Sequence, residues 1–248
     1  MSKEKRLEIQ ESDGHLVVKL NRPEARNAID EALIDELHVL CDRLERDPQV
    51  LVITGAGQYF AAGADIRELR DRGPGEALRG INSRAFDRVA ALPLPTIAAV
   101  NGPAIGGGAE LAYACDFRLA SPNASFANPE VDLGIIAAAG ACLRLRELVG
   151  LPIATEVLIA GRRLNADEAL ACGLVSRIVP EDGLLDASIA LAARIGRGTD
   201  LALRLTKIAL RSPAVSHPVI DDVAQAVAFQ SREKQQRMTD FLEKRSPR

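Results

Sequence analysis

Aromatic residues are scarce in this sequence. Among 248 residues there are six Phe, two Tyr and no Trp. Proteins that bind single-stranded nucleic acid use aromatic side chains as stacking platforms, so this composition argues against that class. An excess of charge of one sign is lacking as well, because 31 basic and 34 acidic residues leave a formal net charge of −3. Without a basic surplus, the sequence predicts no nucleic-acid partner.

Signals for disulfides, metal sites and membrane spans are also missing. The four cysteines form no C-x-x-C pair, which favours reduced thiols in the cytosol over a disulfide framework or a zinc site. The charged residues 1–6 are followed by no apolar segment of a secretory signal. No apolar run approaches the roughly 20 residues of a membrane span. We therefore expect a cytoplasmic protein with no metal site and no membrane association.

Several common catalytic motifs are absent. The sequence contains no G-x-S-x-G of a serine hydrolase, no H-E-x-x-H of a zinc enzyme and no G-x-x-x-x-G-K-[ST] phosphate-binding loop. Its three histidines are scattered at positions 15, 38 and 217. Any catalysis is therefore expected to use carboxylates and backbone groups.

Short β-branched runs alternate with helical patterns along the chain. Five runs predict strands covered by helices on at least one face: residues 16–20, 51–54, 96–100, 117–120 and 174–179. Apolar residues at three- and four-residue steps from Ile29 to Leu44 predict an amphipathic helix, with Asn27 or Asp30 as its N-cap. The Gly-Pro-Gly sequence at 73–75 predicts a mobile loop over residues 68–80. Short helices are predicted after residues 165 and 182 and a long one over 219–245, so the pattern is α/β with a helical C-terminal extension.

Two glycine clusters follow predicted strands. The first, residues 55–60, is similar to the dinucleotide-binding sequence G-x-G-x-x-G, but Phe60 replaces the third glycine and a tight turn is favoured. The second places Gly106, Gly107 and Gly108 between a strand and an apolar helical run. Consecutive glycines let backbone N–H groups approach a negative charge at a helix N-terminus. A tightly packed loop explains this second cluster equally well.

An ordered set of segments resembles the enoyl-CoA hydratase/isomerase (crotonase) superfamily over nearly the whole chain. The segments are residues 20–24 (LNRPE), 27–28 (NA), 53–55 (ITG), 60–66 (FAAGADI), 100–116 with the triple glycine, 126–134 (FANPEVDLG), 173–175 (GLV) and 241–245 (FLEKR). Each segment alone is a weak signal, whereas their order is specific.

The resemblance implies a fold and an assembly. The fold is an α/β crotonase-like spiral of ββα units, with the core and the active site in residues 1–190. Residues 191–248 form a helical oligomerisation region of the same structural unit, so a homotrimer or a dimer of trimers is implied. The substrate is an acyl-CoA thioester, and no cofactor is implied beyond the coenzyme A that the substrate carries. The backbone N–H groups of Ala64 and Gly107 are implied to form an oxyanion hole for the thioester oxygen.

The resemblance assigns the two catalytic acids and bases of a hydratase to Glu110 and Glu130. The implied reaction is the addition of water across a trans-2-enoyl-CoA to give a 3-hydroxyacyl-CoA. Glu110 would deprotonate the water and Glu130 would protonate the α-carbon. Apart from the resemblance, Glu110 is explained as a carboxylate in the first turn of a helix, and Pro129-Glu130 as an ordinary helix or turn opening.

The resemblance also suggests residues that bind the coenzyme A portion. Basic side chains are implied to meet its phosphates, and backbone groups to hold its adenine. These residues are Arg22, Arg26, Arg67 and Lys244 for the phosphates, and Ala62, Asp65 and Ile66 for the adenine. A solvated arginine on a helix face remains the alternative for Arg26.

The sequence departs from the family pattern in two places. Residues 137–141 read AAAGA where the family has Pro-Gly and a Gly-Gly pair, so alanines could occupy positions that favour a positive φ. Arg237 and Asp240 stand where a glycine and an alanine are common. Two alternatives to hydration therefore stay open. One is another crotonase reaction, such as isomerisation, decarboxylation or thioester hydrolysis, and the other is a degenerate acyl-CoA-binding scaffold.

Overall fold

The structure, a computed structural model, describes residues 5–12 and 14–243. The chain divides into two compact units, one ending at Ala193 and the other beginning at Arg194. The strands are β1 (Leu7–Ser12), β2 (His15–Leu20), β3 (Val50–Gly55), β4 (Thr96–Val100), β5 (Pro103–Ile105), β6 (Phe117–Ala120), β7 (Ser125–Ala127), β8 (Leu164–Asn165) and β9 (Arg177–Ile178). The helices are α1 (Glu31–Arg46), α2 (Ile66–Asp71), α3 (Pro74–Arg79), α4 (Ile81–Ala91), α5 (Gly107–Ala114), α6 (Ala141–Leu158), α7 (Ala166–Ala171), α8 (Leu184–Ile195), α9 (Asp200–Arg211), α10 (Val219–Phe229) and α11 (Arg232–Glu243).

The first unit contains two sheets. The larger has the strand order β1-β2-β3-β4-β6-β9, and the smaller consists of β5, β7 and β8. In the larger sheet β1 pairs antiparallel with β2, and the other neighbours are parallel. Strand β4 is buried along its whole length and β3 along nearly all of it, which explains why their sequences are continuously apolar instead of alternating. The strands predicted over 96–100 and 117–120 match β4 and β6 to the residue.

Helix α1 confirms the predicted amphipathic helix and decides between the two candidate caps. The side chain of Asp30 accepts a hydrogen bond from the N–H of Leu33 at 2.9 Å, so Asp30 is the N-cap. Helix α1 packs against α4, and its leucines at 33, 37, 40 and 44 are fully or nearly fully buried. Burial of each leucine side chain contributes about 1.5–3 kcal/mol.

The prediction of a loop over residues 68–80 is wrong, because α2 and α3 occupy most of this segment. Pro74 is the first residue of α3, and the Glu76 carboxylate accepts the N–H of Gly73 at 3.0 Å. Gly80, with φ of +61°, ends the helix. The glycines and the proline therefore mark the two ends of a helix, which are positions that these residue types favour. The strand predicted over 174–179 shortens to β9.

The second unit contains α9, α10 and α11. The long helix predicted over 219–245 is also wrong, since α10 ends at Phe229 and α11 begins at Arg232. Ser231 lies at the break, where its hydroxyl accepts the N–H of Lys234 at 3.2 Å, the bond that a serine N-cap makes. Within the described ranges, no helix is both long and apolar enough to cross a membrane. The division at residue 190 and the oligomerisation role of residues 191–248 stay predictions.

Three loops leave the larger sheet at one edge, because β2, β3 and β4 run parallel. They comprise residues 21–30, 56–65 and 101–106. Single β-bridges, Ile29 with Ala64 and Ala61 with Ala104, join neighbouring loops. Parallel sheets place their ligand sites outside the carboxyl ends of the strands, so these loops are where a site is expected.

Candidate active site

Asn27 fixes the loop after β2 to the loop after β3. Its side-chain Nδ2 lies 2.9 Å from the carbonyl of Ala56, 2.8 Å from that of Tyr59 and 3.2 Å from that of Phe60. Its Oδ1 accepts the N–H of Arg22 at 3.0 Å. Asn27 is fully buried and has a φ of +55°, a conformation that asparagine adopts more readily than most residues. The turn predicted at 55–60 is thus held from inside the protein.

The backbone N–H groups of Ala64 and Gly107 lie close together. In the bridge to Ile29, the hydrogen bonds are made by the carbonyl of Gly63 and the N–H of Asp65, so the N–H of Ala64 points away from Ile29. Gly107 is the first residue of α5, where an N–H has no partner within the helix. A Cβ built on Gly107 would lie 3.5 Å from the nitrogen of Ala64. Among the described residues neither group has a hydrogen-bond acceptor, so both remain available to a ligand.

The glycines before α5 make this approach possible. Gly106 has a φ of +52°, and a Cβ there would lie 2.9 Å from Oε1 of Glu130. A Cβ at Gly108 would lie 2.2 Å from the carbonyl oxygen of Ala61, on the neighbouring loop. A larger residue at 108 would push the two loops apart, whereas one at 106 would be strained by the positive φ and would displace the Glu130 carboxylate. The close-packing explanation of the triple glycine therefore applies to Gly108, and the ligand-binding one stays a prediction.

Glu110 lies on α5, one helical turn after Gly107. Its side chain is buried, with 4% of the residue exposed, and its Oε1 accepts the N–H of Ala141 at 3.1 Å. Burial raises the pKa of Glu110 to about 7, and the negative charge of Glu130 adds to the rise. The N–H of Ala141 and the positive charge of Arg144 oppose it. A carboxyl with this pKa gains or loses a proton readily near neutral pH, as a general base requires.

Glu130 lies in a 3-10 turn, Pro129–Leu133, and its Oε1 faces Gly106. Burial raises its pKa above the usual value for glutamate. Its Oε2 is buried and has no hydrogen-bond partner, and the same is true of Nδ2 of Asn128. Tyr113 donates its hydroxyl to Oδ1 of Asn128 at 3.2 Å and so fixes that amide. An unpaired, buried carboxyl oxygen costs stability unless a ligand or water completes its hydrogen bonds.

The alanines at 137–139 carry none of the strain that a glycine-to-alanine change can cause. Among the described residues with a positive φ, the non-glycine ones are Arg26 and Asn27. In the 137–141 segment Gly140 alone has a positive φ, of +117°, and it is the N-cap of α6. The first helical N–H of α6, that of Ala141, is the group bonded to Glu110. The departure from the family sequence therefore leaves the contact with Glu110 intact.

The three described arginines predicted to bind coenzyme A have different surroundings. Arg22 is largely buried and forms ion pairs with Asp30 at 3.1 Å and with Asp65 at 3.3 Å. Its guanidinium also donates to the carbonyl of Ala28 at 2.8 Å, so it holds the loop after β2 in place. Arg26 lies over the ring of Tyr59, with 5.4 Å between its Cζ and the ring centroid. Arg67 is exposed on α2.

The remaining coenzyme A candidates lie at the same edge of the sheet or outside the described residues. Ala62 donates its N–H to the carbonyl of Arg26 at 2.9 Å. Asp65 is the N-cap of α2, and Ile66 is exposed at the start of that helix. Lys244 falls outside the described residues. The coenzyme A contacts of all these residues stay predictions.

The two unusual residues near the C-terminus make local contacts in the second unit. The Nη1 of Arg237 donates to the carbonyl of Arg197 at 2.6 Å. Asp240 accepts a hydrogen bond from Gln236 at 2.7 Å, one turn earlier in α11. Each replacement therefore has an intramolecular partner.

Comparisons with known proteins identify the family of this chain and its fold. The sequence profile of the enoyl-CoA hydratase/isomerase family matches residues 10–248, and the chain belongs to that family. It is 36% identical to the short-chain-enoyl-CoA hydratase of Clostridium acetobutylicum over 96% of this chain and 95% of that protein. It is 39% identical to the crotonyl-CoA hydratase of Syntrophomonas wolfei over 92% of each chain.

Solved structures give the same result for the fold. The crystal structure of an enoyl-CoA hydratase from Bacillus anthracis superposes with a TM-score of 0.91 at 32% identity, covering 98% of each chain. The α/β crotonase fold expected from the sequence is confirmed by this match.

Sequence reasoning missed the residues that support the site. Asn27 was considered as a helix cap, although its place in a segment of the family pattern was a signal for a further role. Arg144 and Asn128 lie within or next to recognised segments and received no role. Their contacts span 57 and 15 residues along the chain, and no local pattern predicts such contacts.

Proposed function

We propose that this chain is an enoyl-CoA hydratase, which adds water across the double bond of a trans-2-enoyl-CoA to give a 3-hydroxyacyl-CoA. One observation carries the proposal: the buried Glu110 and the half-buried Glu130, both with raised pKa values, lie beside the N-terminus of α5 and the N–H groups of Ala64 and Gly107. The names of the relatives from Clostridium acetobutylicum and Syntrophomonas wolfei support the same reaction.

The N–H groups of Ala64 and Gly107 would hold the thioester oxygen. As water adds at the β-carbon, negative charge moves onto this oxygen, and two amide donors at about 2.7–3.1 Å stabilise it. The N-terminus of α5 adds a favourable dipole because Gly107 is its first residue. Loss of one such donor in other enzymes costs about 2.7–4 kcal/mol of transition-state stabilisation.

The two glutamates would exchange the protons. Glu110, as carboxylate, takes a proton from the water whose oxygen attacks the β-carbon. Glu130, as carboxylic acid, gives a proton to the α-carbon, so one water is added in total. Such general acid–base assistance contributes about 10²–10⁴-fold each. Burial raises the pKa of Glu130, and hence its affinity for the proton that this role transfers.

The substrate, the assembly and the location complete the proposal. The acyl-CoA would be held through its phosphates by Arg22, Arg26, Arg67 and Lys244, and through its adenine by Ala62, Asp65 and Ile66. No further cofactor is proposed. A homotrimer or a dimer of trimers in the cytoplasm is expected from the sequence resemblance. Light scattering on the purified chain measures the assembly directly.

Turnover of crotonyl-CoA tests the proposal. We expect the wild-type chain to hydrate it, and Glu110→Gln and Glu130→Gln to lose at least about 10²-fold in kcat. Glu147→Gln, which removes an exposed carboxylate from α6, is the matched control and should keep wild-type activity. Binding of acyl-CoA without turnover of short, long or aryl enoyl substrates would reject hydration. That result would favour another reaction of the family or the scaffold alternative.

A further inference from the structure

The turn that delivers the N–H of Ala141 to Glu110 has few hydrogen bonds of its own. Residues 137–139 are alanines, whose side chains donate and accept nothing. The Sγ of Cys142 lies 3.6 Å from the carbonyl of Ala137, which is a weak contact. A stronger group is needed to keep Ala141 within 3.1 Å of Oε1 of Glu110.

Arg144 supplies that group. Its Nη1 donates to the carbonyl of Ala139 at 3.2 Å, and its Nη2 forms an ion pair with Asp87 of α4 at 2.5 Å. The Arg144 side chain is 17% exposed, whereas that of Asp87 is 65% exposed. The guanidinium crosses directly over Gly140, where a Cβ would lie 1.9 Å from Nη1. The positive φ of +117° favours glycine at 140, the N-cap of α6, and a larger residue there would also displace the Arg144 guanidinium.

We propose that Arg144 is a positioning residue of the active site, which ties the 137–141 turn to α4 through Asp87 and thereby holds the N–H of Ala141 on the Glu110 carboxylate. This inference rests on the proposed hydratase function. Arg144 does not touch Glu110, so it acts through the turn and through its charge. Its charge favours the ionised form of Glu110 and opposes the effect of burial on the pKa.

The two parts of this role predict different variants. Arg144→Gln removes the positive charge and the planar guanidinium that bonds Ala139 and Asp87 together. Arg144→Lys keeps the charge, but a lysine cannot bond Ala139 and Asp87 in the same planar geometry. Asp87→Asn keeps Arg144 and weakens its anchor on α4. Arg146→Gln is the matched control, because it removes an exposed arginine two residues further along α6.

Steady-state kinetics with crotonyl-CoA between pH 5 and 9 test the proposal. For Arg144→Gln we expect kcat to fall about tenfold or more, because a small displacement of a catalytic group is costly, with KM changed less than about twofold. The acidic limb of kcat/KM should move to higher pH, because loss of the positive charge raises the pKa of Glu110. In Arg144→Lys the acidic limb of kcat/KM should lie at its wild-type pH, and kcat should recover in part. Asp87→Asn should lower kcat without an upward shift of the limb, and Arg146→Gln should match the wild type.

A titration that needs no turnover separates this proposal from the proposed function. The pH dependence of unfolding, compared between chains with Glu and Gln at 110, reports the Glu110 pKa, and Arg144→Gln should move it upward. If the wild-type chain hydrates no enoyl-CoA, the proposed function fails and this titration still decides the role of Arg144. An unshifted titration together with unchanged kcat in Arg144→Gln overturns the proposal. If Arg144→Gln does not fold, wild-type kcat in both Asp87→Asn and Arg144→Lys overturns it equally.

Discussion

Replacement of Glu110 by glutamine should change how the stability of the protein depends on pH. Unfolded, the carboxyl ionises near the ordinary glutamate pKa of 4.5, and in the folded chain burial raises this pKa to about 7. The folded state therefore binds more protons than the unfolded state between these values, and stability falls as the pH rises through them. A difference of about 2.5 units at about 1.36 kcal/mol per unit gives a loss of about 3 kcal/mol by pH 8.

Urea denaturation of the wild type and of Glu110→Gln, in half-unit steps from pH 4 to 8.5, measures this loss. Glutamine has nearly the same shape and does not ionise, so the difference in unfolding free energy isolates the Glu110 proton. Below pH 4.5 the difference should be constant, and above pH 7 it should have moved by about 3 kcal/mol in favour of the variant. Protein concentration must be held fixed, because any assembly adds to apparent stability.

The same denaturation experiment in a Glu130→Gln background tests what raises the pKa of Glu110. The charge of Glu130 contributes to the raised pKa of Glu110, after burial. Its removal should shrink the pH-dependent difference and leave most of it in place. A difference constant to about 0.5 kcal/mol from pH 4 to 8.5 refutes the reasoning, since it would mean that burial does not govern the ionisation of Glu110.

Two further substitutions test the backbone that carries the site. Gly106→Ala should destabilise the chain by about 1–2 kcal/mol and lower crotonyl-CoA turnover at least tenfold, because φ is +52° and the added Cβ would press on Glu130. Gly75→Ala, where a Cβ meets nothing within 4 Å, is its control and should be neutral or slightly stabilising in urea denaturation. Asn27→Ala should cost about 2–4 kcal/mol, because it leaves buried carbonyls unpaired and puts alanine at φ +55°. Asn123→Ala, which removes one exposed hydrogen bond, should cost less than about 1 kcal/mol, and equal losses for the two asparagines would contradict the role of Asn27.

Local sequence patterns predicted the elements whose burial is either continuous or regularly periodic. Strands β4 and β6 and helix α1 follow from continuous apolar runs and from a three- to four-residue periodicity. Strand β1 escaped prediction because of its six residues only Leu7 is buried, so its sequence carries little pattern. The three strands of the small sheet are two or three residues long and too short to give a periodic signal.

The errors around α3 and α11 have one physical origin. At α3, residues that begin and end the helix were interpreted as helix breakers. At α11, the residue that begins the helix was overlooked. Pro74 and Gly80 bound α3, and Ser231 begins α11 after α10 has ended. Capping is a property of position, so composition alone does not show whether a glycine, proline or serine interrupts a helix or delimits it.

The candidate site was predictable in its residue identities and not in its supporting contacts. Glu110, Glu130, Ala64 and Gly107 came from the resemblance to a family, and the structure places them close to one another around the start of α5. The bond from Ala141 to Glu110 joins residues 31 apart. It depends on where α6 begins, which the alanine-rich sequence left open.

The energetics of Glu110 bear on the alternative of a degenerate scaffold. Ionisation of the buried Glu110 lowers the free energy of unfolding by about 3 kcal/mol as the pH rises to 8. Proteins typically have a free energy of unfolding of about 5–15 kcal/mol, so this loss is a large part of it. A glutamine at position 110 would accept the N–H of Ala141 through its side-chain carbonyl oxygen. Because it does not ionise, the protein would not lose this stability at high pH. A chain that only binds acyl-CoA has no need for an ionisable group in this place. Polar strain of this kind is typical of catalytic sites, where stability is given up for reactivity, so the buried glutamate favours an enzyme.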